Sequence, residues 1–404
     1  MNLQDDWGRR ALQHATRITL ASPGRGSATR AERRAAEDVL QHLTQLGIAN
    51  AHRQPFVGLR SLWLFVAWAS GFALLGHLAF WLLRPVLGDG IGWALATITF
   101  GWGFWLLWRR FAFQPVPGIR TLPHGDSQNV IAHIAPTGET RHKVVLTAHL
   151  DTHRAVIWFA HDALLLAYSV FIPLGLAGFM LAPLFYAGGL ASGSAWLLGA
   201  GAAFALLHFI GWFTGMTADL GPYSPGANDN ASAVGTVLAL AERLQAEPLQ
   251  HTAVWLVFTG CEETGCDGIL AFLDAYGEDL RDALFLNFEL VGIGDRLNYL
   301  RSEGMLRPQH IGRAAETWVQ RAAAPLGVQP RSLAGLGVFT ETGALWARGF
   351  EGVCLLGGCG KSPFLPEWHR LTDIPQKLET AALTRAHEAA WQMLHAVDVP
   401  TKDR

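Results

Sequence analysis

The sequence predicts an α/β fold: a mixed, mostly parallel central sheet with helices on both faces, interrupted by two apolar helical hairpins. Three observations lead there. Short β-rich apolar runs alternate with helical patterns along the polar parts of the chain, as in a layered α/β sheet. Two strongly apolar stretches, 61–108 and 163–218, are each long enough for two helices of membrane-spanning length. Half of the 404 residues are hydrophobic and only 16% are charged, which is too apolar for a soluble domain of this size alone. A formal net charge of −2 gives no electrostatic footprint for nucleic acid.

Residues 1–58 are polar, carry Asp5, Asp6, Arg9 and Arg10, and lack the apolar core of a secretory signal. Within them, "AERRAAEDVLQHLTQLG" (31–47) reads as an amphipathic helix stopped by Gly47. The first hairpin follows. "SLWLFVAWASGFALLGHLAFWLL" (61–83) is uncharged, and "GIGWALATITFGWGFWLLW" (90–108) is closed by Arg109 and Arg110. The second hairpin lies between Ala163 and Ala218, which hold no Asp, Glu, Lys or Arg between them, with "GGLASGS" (188–194) as its turn. Buried helices of a soluble core are the other reading, but such helices normally keep a polar face, and these show none. Many of the 16 tryptophans sit near the ends of the apolar runs, as at membrane interfaces.

Arg53, Arg60, Arg109, Arg110 and Arg154 share the side of the polar segments, whereas the far loop of the first hairpin offers Arg84 opposed by Asp89. The positive-inside tendency therefore places the polar segments in the cytoplasm. The expectation is an integral, multi-pass protein with four helices, of a bacterial-type inner membrane.

With the hairpins removed, about 290 residues remain, enough for one α/β domain. Its expected strands are "NVIAHIA" (129–135), "KVVLTAHL" (143–150), "TAVWLVFTG" (252–260), "ALFLNFEL" (283–290) and "GVCLLGG" (352–358). Most are apolar on both faces, as central strands covered by helices are. Helical patterns intervene at about 232–246, 311–325 and 377–396. The four cysteines, Cys261, Cys266, Cys354 and Cys359, have spacings unlike zinc ribbons; they read as buried thiols or as one or more disulfides.

Polar residues collect at or just beyond the strand ends. In "TAHLDT", His149 and Asp151 point the same way on a strand, and Asp151 can accept a hydrogen bond from the free ring nitrogen of His149, as beside metal-bound histidines. A structural histidine with its partner is the simpler alternative. In "SPGANDNASAVG", a loop delivers Asp229 just before a helix; Asp229 or Asn230 could equally cap that helix. "VFTGCEETGCDG" carries Glu262 and Glu263, whose side chains diverge, so one can bind a metal while the other takes a proton from water. An exposed acidic pair is the alternative there. Glu289 closes the apolar "LFLNFEL" and needs a cation or a basic partner. His369 lies in the loop "SPFLPEWHRLTD", where a surface histidine would be ordinary. Together, two histidines and three carboxylates can hold two zinc-like ions if one carboxylate bridges.

The order of these motifs resembles the di-zinc metallo-exopeptidase family that includes bacterial leucyl aminopeptidases, aminopeptidase Y and glutamate carboxypeptidase. The matching residues are His149 with Asp151, Asp229 in "NDNASAVG", Glu262 with Glu263, the "NFELVG" segment, and His369 with Asp373; the opening "RITLASPGRGSATRAERRAAEDVLQHLTQLG" is similar to the family's N-terminal segment. The resemblance implies a zinc-exopeptidase-type sheet in a membrane-embedded member of the family. It assigns Asp229 as the bridging ligand, His149 and Glu289 to one ion, Glu263 and His369 to the other, Glu262 as general base and Asp151 as the residue that orients His149. The implied cofactor is two Zn²⁺, with Co²⁺ or Mn²⁺ as substitutes, and the implied substrate is a peptide with a free N-terminus. Loops at 298–310 and 333–346 would shape the substrate pocket.

Two departures stand out. Glu289 replaces the family's Asp, one methylene longer, so its ion could be displaced. Eighty residues separate His149 from Asp229 where relatives have a short loop, and the second hairpin fills that gap. The expected organisation is therefore 1–60, the N-terminal part of the peptidase domain; 61–110, the first hairpin; 111–160, with His149 and Asp151; 161–217, the second hairpin; and 218–404, the remainder. His149 and Asp229 can share one site only if an even number of spans separates them. An insertion beside the site would also bring the site mouth near the bilayer and favour membrane-associated peptides. Competing functions are a single-metal glutaminyl cyclase, an amide hydrolase, or a non-enzymatic binding module on the same fold.

Overall fold

A computed structural model describes residues 3–334, 337–360 and 362–398. The chain divides into two compact units. One comprises Met1–Arg60, His124–Ala155 and Pro222–Arg404; the other comprises Ser61–Pro123 and Val156–Gly221.

The first unit is built on a sheet of nine strands among the described residues: β1 (His52–Leu59), β2 (His124–Ile134), β3 (His142–His149), β4 (Thr252–Thr259), β5 (Leu284–Glu289), β6 (Arg296–Glu303), β7 (Gln309–His310), β8 (Gln329–Ser332) and β9 (Glu351–Gly358). Their order is β1-β2-β4-β3-β5-β9-β6-β7, with β8 paired to β6. The central strands β4, β3, β5 and β9 run parallel, and antiparallel pairs flank them. The five expected strands are all present. β1, β6, β7 and β8 were not expected, and β6 takes up residues 298–303, which the sequence reading placed in a loop. Of the second expected loop, 341–346 belong to the helix Glu341–Ala347, and 335–336 fall outside the described residues.

Alternation along the strands separates two faces. Val144, Leu146 and Ala148 of β3, with Leu286 and Phe288 of β5, join the main core, to which the helices Leu3–Ala21, Arg30–Gln45, Ser232–Ala246, Arg313–Ala322 and Thr380–Asp398 contribute. The helix Leu3–Ala21 contributes Ala11, Ala15 and Ile18, a helical spacing of mostly small residues. Small size is required there. A Cβ on Gly235 would lie 2.3 Å from the Ala11 carbonyl oxygen, so the two helices cross nearly backbone to backbone. The helix Arg30–Gln45 opens with Thr29, whose Oγ1 accepts the Glu32 N–H, while the Glu32 carboxylate reaches back to the Ala28 N–H.

On the opposite face of β3 and β5 the residues turn polar. Thr147 Oγ1 donates to Asn287 Oδ1 at 2.9 Å, and one step further along the same face come His149 and Glu289. Apolar strands that become polar at their carboxyl ends put the polar residues together on one edge of a parallel sheet.

The second unit holds four helices long and apolar enough to cross a membrane: Leu62–Leu87, Asp89–Phe111, Asp162–Ser192 and Ala195–Ala218. Ser61 and Ser194 cap two of them through their hydroxyls, and Gly193, with φ +69°, terminates the third in a left-handed turn. A buried polar chain links three helices. His208 Nε2 donates to Gly175 O (3.3 Å), so His208 Nδ1 accepts from His77 Nε2 (3.1 Å) and His77 Nδ1 accepts the Tyr186 hydroxyl (2.7 Å). Trp81 Nε1 donates to the same hydroxyl oxygen. Every member is satisfied with both imidazoles neutral.

Candidate metal centre

His149 ends β3, Glu262 and Glu263 follow β4, and Glu289 ends β5, so three neighbouring parallel strands deliver them to one edge. Asp229 comes from the segment before the helix Ser232–Ala246, and His369 from the loop after β9. All six are at least nine-tenths buried. Backbone torsions are unusual beside them: Cys261, Leu290 and His369 itself take positive φ of 53°, 49° and 57°. Non-glycine residues hold such angles only where their surroundings impose them.

The structure brings all the sequence-identified residues into one cluster. Asp229 lies at its centre, with Oδ1 3.4 Å from His149 Nε2 and Oδ2 3.4 Å from His369 Nε2. Glu289 Oε2 is 3.3 Å from His149 Nε2, and Glu263 Oε2 is 3.2 Å from His369 Nε2. Glu262 stands further off, 3.9 Å from His149 Nε2, and its Oε1 receives the Cys266 thiol. The longer Glu289 is held at both oxygens, Oε1 by the Asn287 amide (3.1 Å) and Oε2 by the Asn230 amide (3.0 Å).

Asp151 makes a wider set of contacts than one histidine. His149 Nδ1 faces the Asp151 backbone carbonyl at 3.1 Å and the carboxylate Oδ1 at 3.5 Å. The carboxylate itself accepts the N–H groups of Glu262 and Glu263, both at 3.1 Å, and the Ser27 hydroxyl at 2.6 Å. It therefore fixes the turn that carries the acidic pair. Asp373 does the same for Asp229, accepting the Asn228 and Asp229 N–H groups at 2.7 and 3.0 Å.

Several supporting residues escaped the sequence reading. Arg25, fully buried, donates to the carbonyls of Leu150 (2.7 Å), Pro225 (3.1 Å) and Gly226 (2.8 Å), joining the loops of His149 and Asp229. Glu32 accepts the Cys261 N–H (2.9 Å) and the Ser127 hydroxyl (2.9 Å). His153, four residues past His149, also reaches the cluster. Its signal was available, because H-x-D-x-H repeats every second residue; Arg25 and Glu32 had none. The four cysteines are free thiols.

The electrostatics fit a cation. Burial pushes the carboxyls of Glu262, Glu263 and Glu289 above the ordinary range; His149 opposes this in each case, and neighbouring carboxylates reinforce it. Burial acts on Asp229 in the same direction, but its hydrogen bond to His149 and the charge of His369 outweigh it and leave that carboxyl below its usual value. Glu263 Oε1 is buried without a hydrogen-bond partner. Converging oxygens and imidazole nitrogens, one oxygen unsatisfied, form a donor set suited to zinc-like ions. Three groups in the cluster have ligand atoms within 4.8 Å of one another: His149, Asp229, Glu289; His153, Glu263, His369; and His149, Glu262, Glu263.

Comparison with known proteins agrees with the site. Residues 213–394 match Peptidase family M28. A stretch of 189 residues is 30% identical to the probable lipoprotein aminopeptidase LpqL of Mycobacterium tuberculosis, covering 40% of this chain and 37% of that protein. The chain thus spans well under half of that relative. Among solved structures, BSAP, a zinc aminopeptidase from Bacillus subtilis, superposes with a TM-score of 0.57 at 13% identity, covering 98% of this chain and 96% of that one. A Zn-dependent exopeptidase from Parabacteroides distasonis gives 0.55 at 12% identity over 96% and 97% of the two chains. The glutaminyl cyclase of an Acidobacteriales bacterium gives 0.55 at 14% identity over 97% and 94%. At these identities the structures speak for the fold, a mixed α/β sheet of the zinc-exopeptidase type. Motif order, fold and the family match converge on one conclusion: over residues 213–394 the chain is similar to peptidase family M28.

Proposed function

We propose that the protein is a membrane-anchored, zinc-dependent exopeptidase, an aminopeptidase that removes residues from peptides with a free N-terminus. The observation that carries this reading is Asp229, one carboxylate whose two oxygens address two imidazoles, His149 and His369, at equal distance. His149, Asp229 and Glu289 would hold one zinc; Asp229, Glu263 and His369 would hold a second. Zinc bound there supplies a Lewis acid for the scissile carbonyl and a lowered pKa for water.

The chain's own residues supply the rest. Glu262 lies further from His149 Nε2 than Asp229 or Glu289 does, and burial lifts its proton affinity, as a general base requires. It takes the proton from the attacking water and returns it to the leaving amine. Asp151 and Ser27 keep the Glu262–Glu263 turn in place while this happens. Burial of every participant keeps bulk water from competing with these contacts.

The four apolar helices are assigned to the bilayer, with the polar segments on the cytoplasmic side and peptides processed at a membrane as substrates. Support comes from helix length, the arginines at the helix ends, and the covalent continuity of the site loop with the second hairpin.

The test uses detergent-purified full-length protein with zinc, given matched free-amino, N-acetylated and N-terminal-glutamine peptides, with Glu262→Gln alongside. Cleavage of the free-amino set alone, lost in Glu262→Gln, is the expected outcome. Release of ammonia from the glutamine peptides without chain cleavage would identify a cyclase instead, and no turnover of any set would point to a binding module.

A further inference from the structure

We propose that His153 is a further nitrogen ligand for the cation held by Glu263 and His369. The inference rests on the metallopeptidase reading of the site and adds a residue that the resemblance did not assign. His153 is buried, 7% exposed, and its ring stacks on that of His369 with centroids 3.8 Å apart and planes 16° from parallel. A ring nitrogen of His153, a carboxylate oxygen of Glu263 and a ring nitrogen of His369 all lie within 4.8 Å of one another.

The tautomer follows from its neighbour. Nδ1 of His153 is 2.9 Å from the Arg154 carbonyl, which can only accept, so Nδ1 carries the proton and Nε2 keeps its lone pair. An imidazole that donates one N–H to a carbonyl and offers the other nitrogen is the usual state of a metal-ligating histidine. Its backbone is fixed as well. Ser224 N–H donates to the His153 carbonyl at 2.9 Å, Arg154 and Tyr223 form a β-bridge, and the Arg154 guanidinium lies 3.6 Å from the centre of the Tyr223 ring. Little reorganisation is then needed for binding.

The two cation positions become unequal. One would draw on a single imidazole, His149, with Asp229 and Glu289. The other would draw on two, His369 and His153, with Asp229 and Glu263. Nitrogen donors favour zinc over manganese, so the second position should be the tighter and the more zinc-selective.

The alternative role for His153 is to prop His369 by stacking, and His153→Phe separates the two because it keeps a ring and removes the nitrogen. Full-length protein, His153→Phe, His153→Ala and a His149→Ala control are loaded with zinc in detergent. Each is dialysed against graded chelator and assayed for zinc per chain, with a parallel cobalt-substituted absorption spectrum and a thermal-unfolding check. The expected result is a loss of affinity for the tighter zinc in both His153 variants of at least the roughly 10- to 100-fold that removing an outer-shell partner costs, an altered cobalt spectrum, and retention of the other ion. Wild-type affinity and an unchanged spectrum in His153→Phe would overturn the proposal. If His149→Ala loses zinc in that same experiment, the metallopeptidase reading still stands. Failure of the unmodified protein to take up zinc or cobalt would overturn both.

Discussion

Replacing Asp151 by Asn isolates what holds the acidic pair in place. The carboxylate accepts three hydrogen bonds, from the amides of Glu262 and Glu263 and from Ser27. Asparagine keeps one oxygen and turns an NH₂ toward donors, so at least one amide loses a charge-assisted bond worth about 1.5–3 kcal/mol and is left buried without an acceptor. Since the turn can relax, a net displacement cost of about 2–3 kcal/mol is a reasonable size. Expressed at the transition state, that is roughly 30- to 150-fold in kcat/KM, at 1.36 kcal/mol per tenfold. The assay is the kinetics of free-amino peptide hydrolysis, with zinc content measured on the same samples. We expect kcat to fall while zinc stays bound, because the amides held by Asp151 belong to the turn of the base. A variant within threefold of wild type would refute this reasoning. Loss of zinc with kcat per bound metal intact would return Asp151 to the role first expected of it, orienting His149.

Four further outcomes follow from the same contacts. Arg25→Met removes three short charge-assisted bonds and orphans buried carbonyls; about 4 kcal/mol is expected, a fall in Tm of roughly 10 °C by thermal unfolding. Glu242 accepts from Arg10, His14 and His42, and these partners overcome burial to depress its carboxyl below its ordinary 4.5. Its stabilisation is thus present above pH 4.5 and lost as pH falls, so Glu242→Gln should cost about 1–3 kcal/mol at pH 7, and its gap to wild type should close in acid unfolding curves. His77→Phe breaks the polar chain linking three apolar helices and should lower stability in detergent by about 1 kcal/mol, read from unfolding in mixed micelles. Glu289→Asp restores the family's residue but withdraws a carboxylate that Asn230 and Asn287 hold at full length, so chelator titration should show weaker zinc binding rather than stronger.

Much of the site was legible because its signals are local. An apolar strand that ends in His149 or Glu289 announces a buried polar group at the strand tip, and adjacent Glu262 and Glu263 must diverge. The central strands were legible for the same reason, being apolar on both faces. What escaped reading lacks that contrast. The helix Leu3–Ala21 buries alanines against Gly235, so close backbone approach replaces the large apolar stripe that periodicity detects. β1, "HRQPFVGL", is an edge strand with Pro55 and only two fully buried residues, and β6, "RLNYLRSE", carries charges at intervals. Arg25 and Glu32 act across 125 and 229 residues of sequence, on Leu150 and Cys261, where no pattern in a single chain links the partners.

The cluster persists despite the long stretch of chain between His149 and Asp229 because the two ends of that stretch are tied together. The site loop does not depend on the inserted helices to close, since its two ends pair with each other inside the first unit. Ser224 N–H donates to the His153 carbonyl, Ala155 N–H donates to the Pro222 carbonyl at 3.0 Å, and Arg154 bridges to Tyr223. Arg25 then fastens both sides at Leu150 and at Pro225–Gly226. The chain departs after Ala155 and returns at Pro222, with two long apolar helices in between. Closure of the site loop thus rests on contacts within the first unit, with the Arg154–Tyr223 bridge at its base.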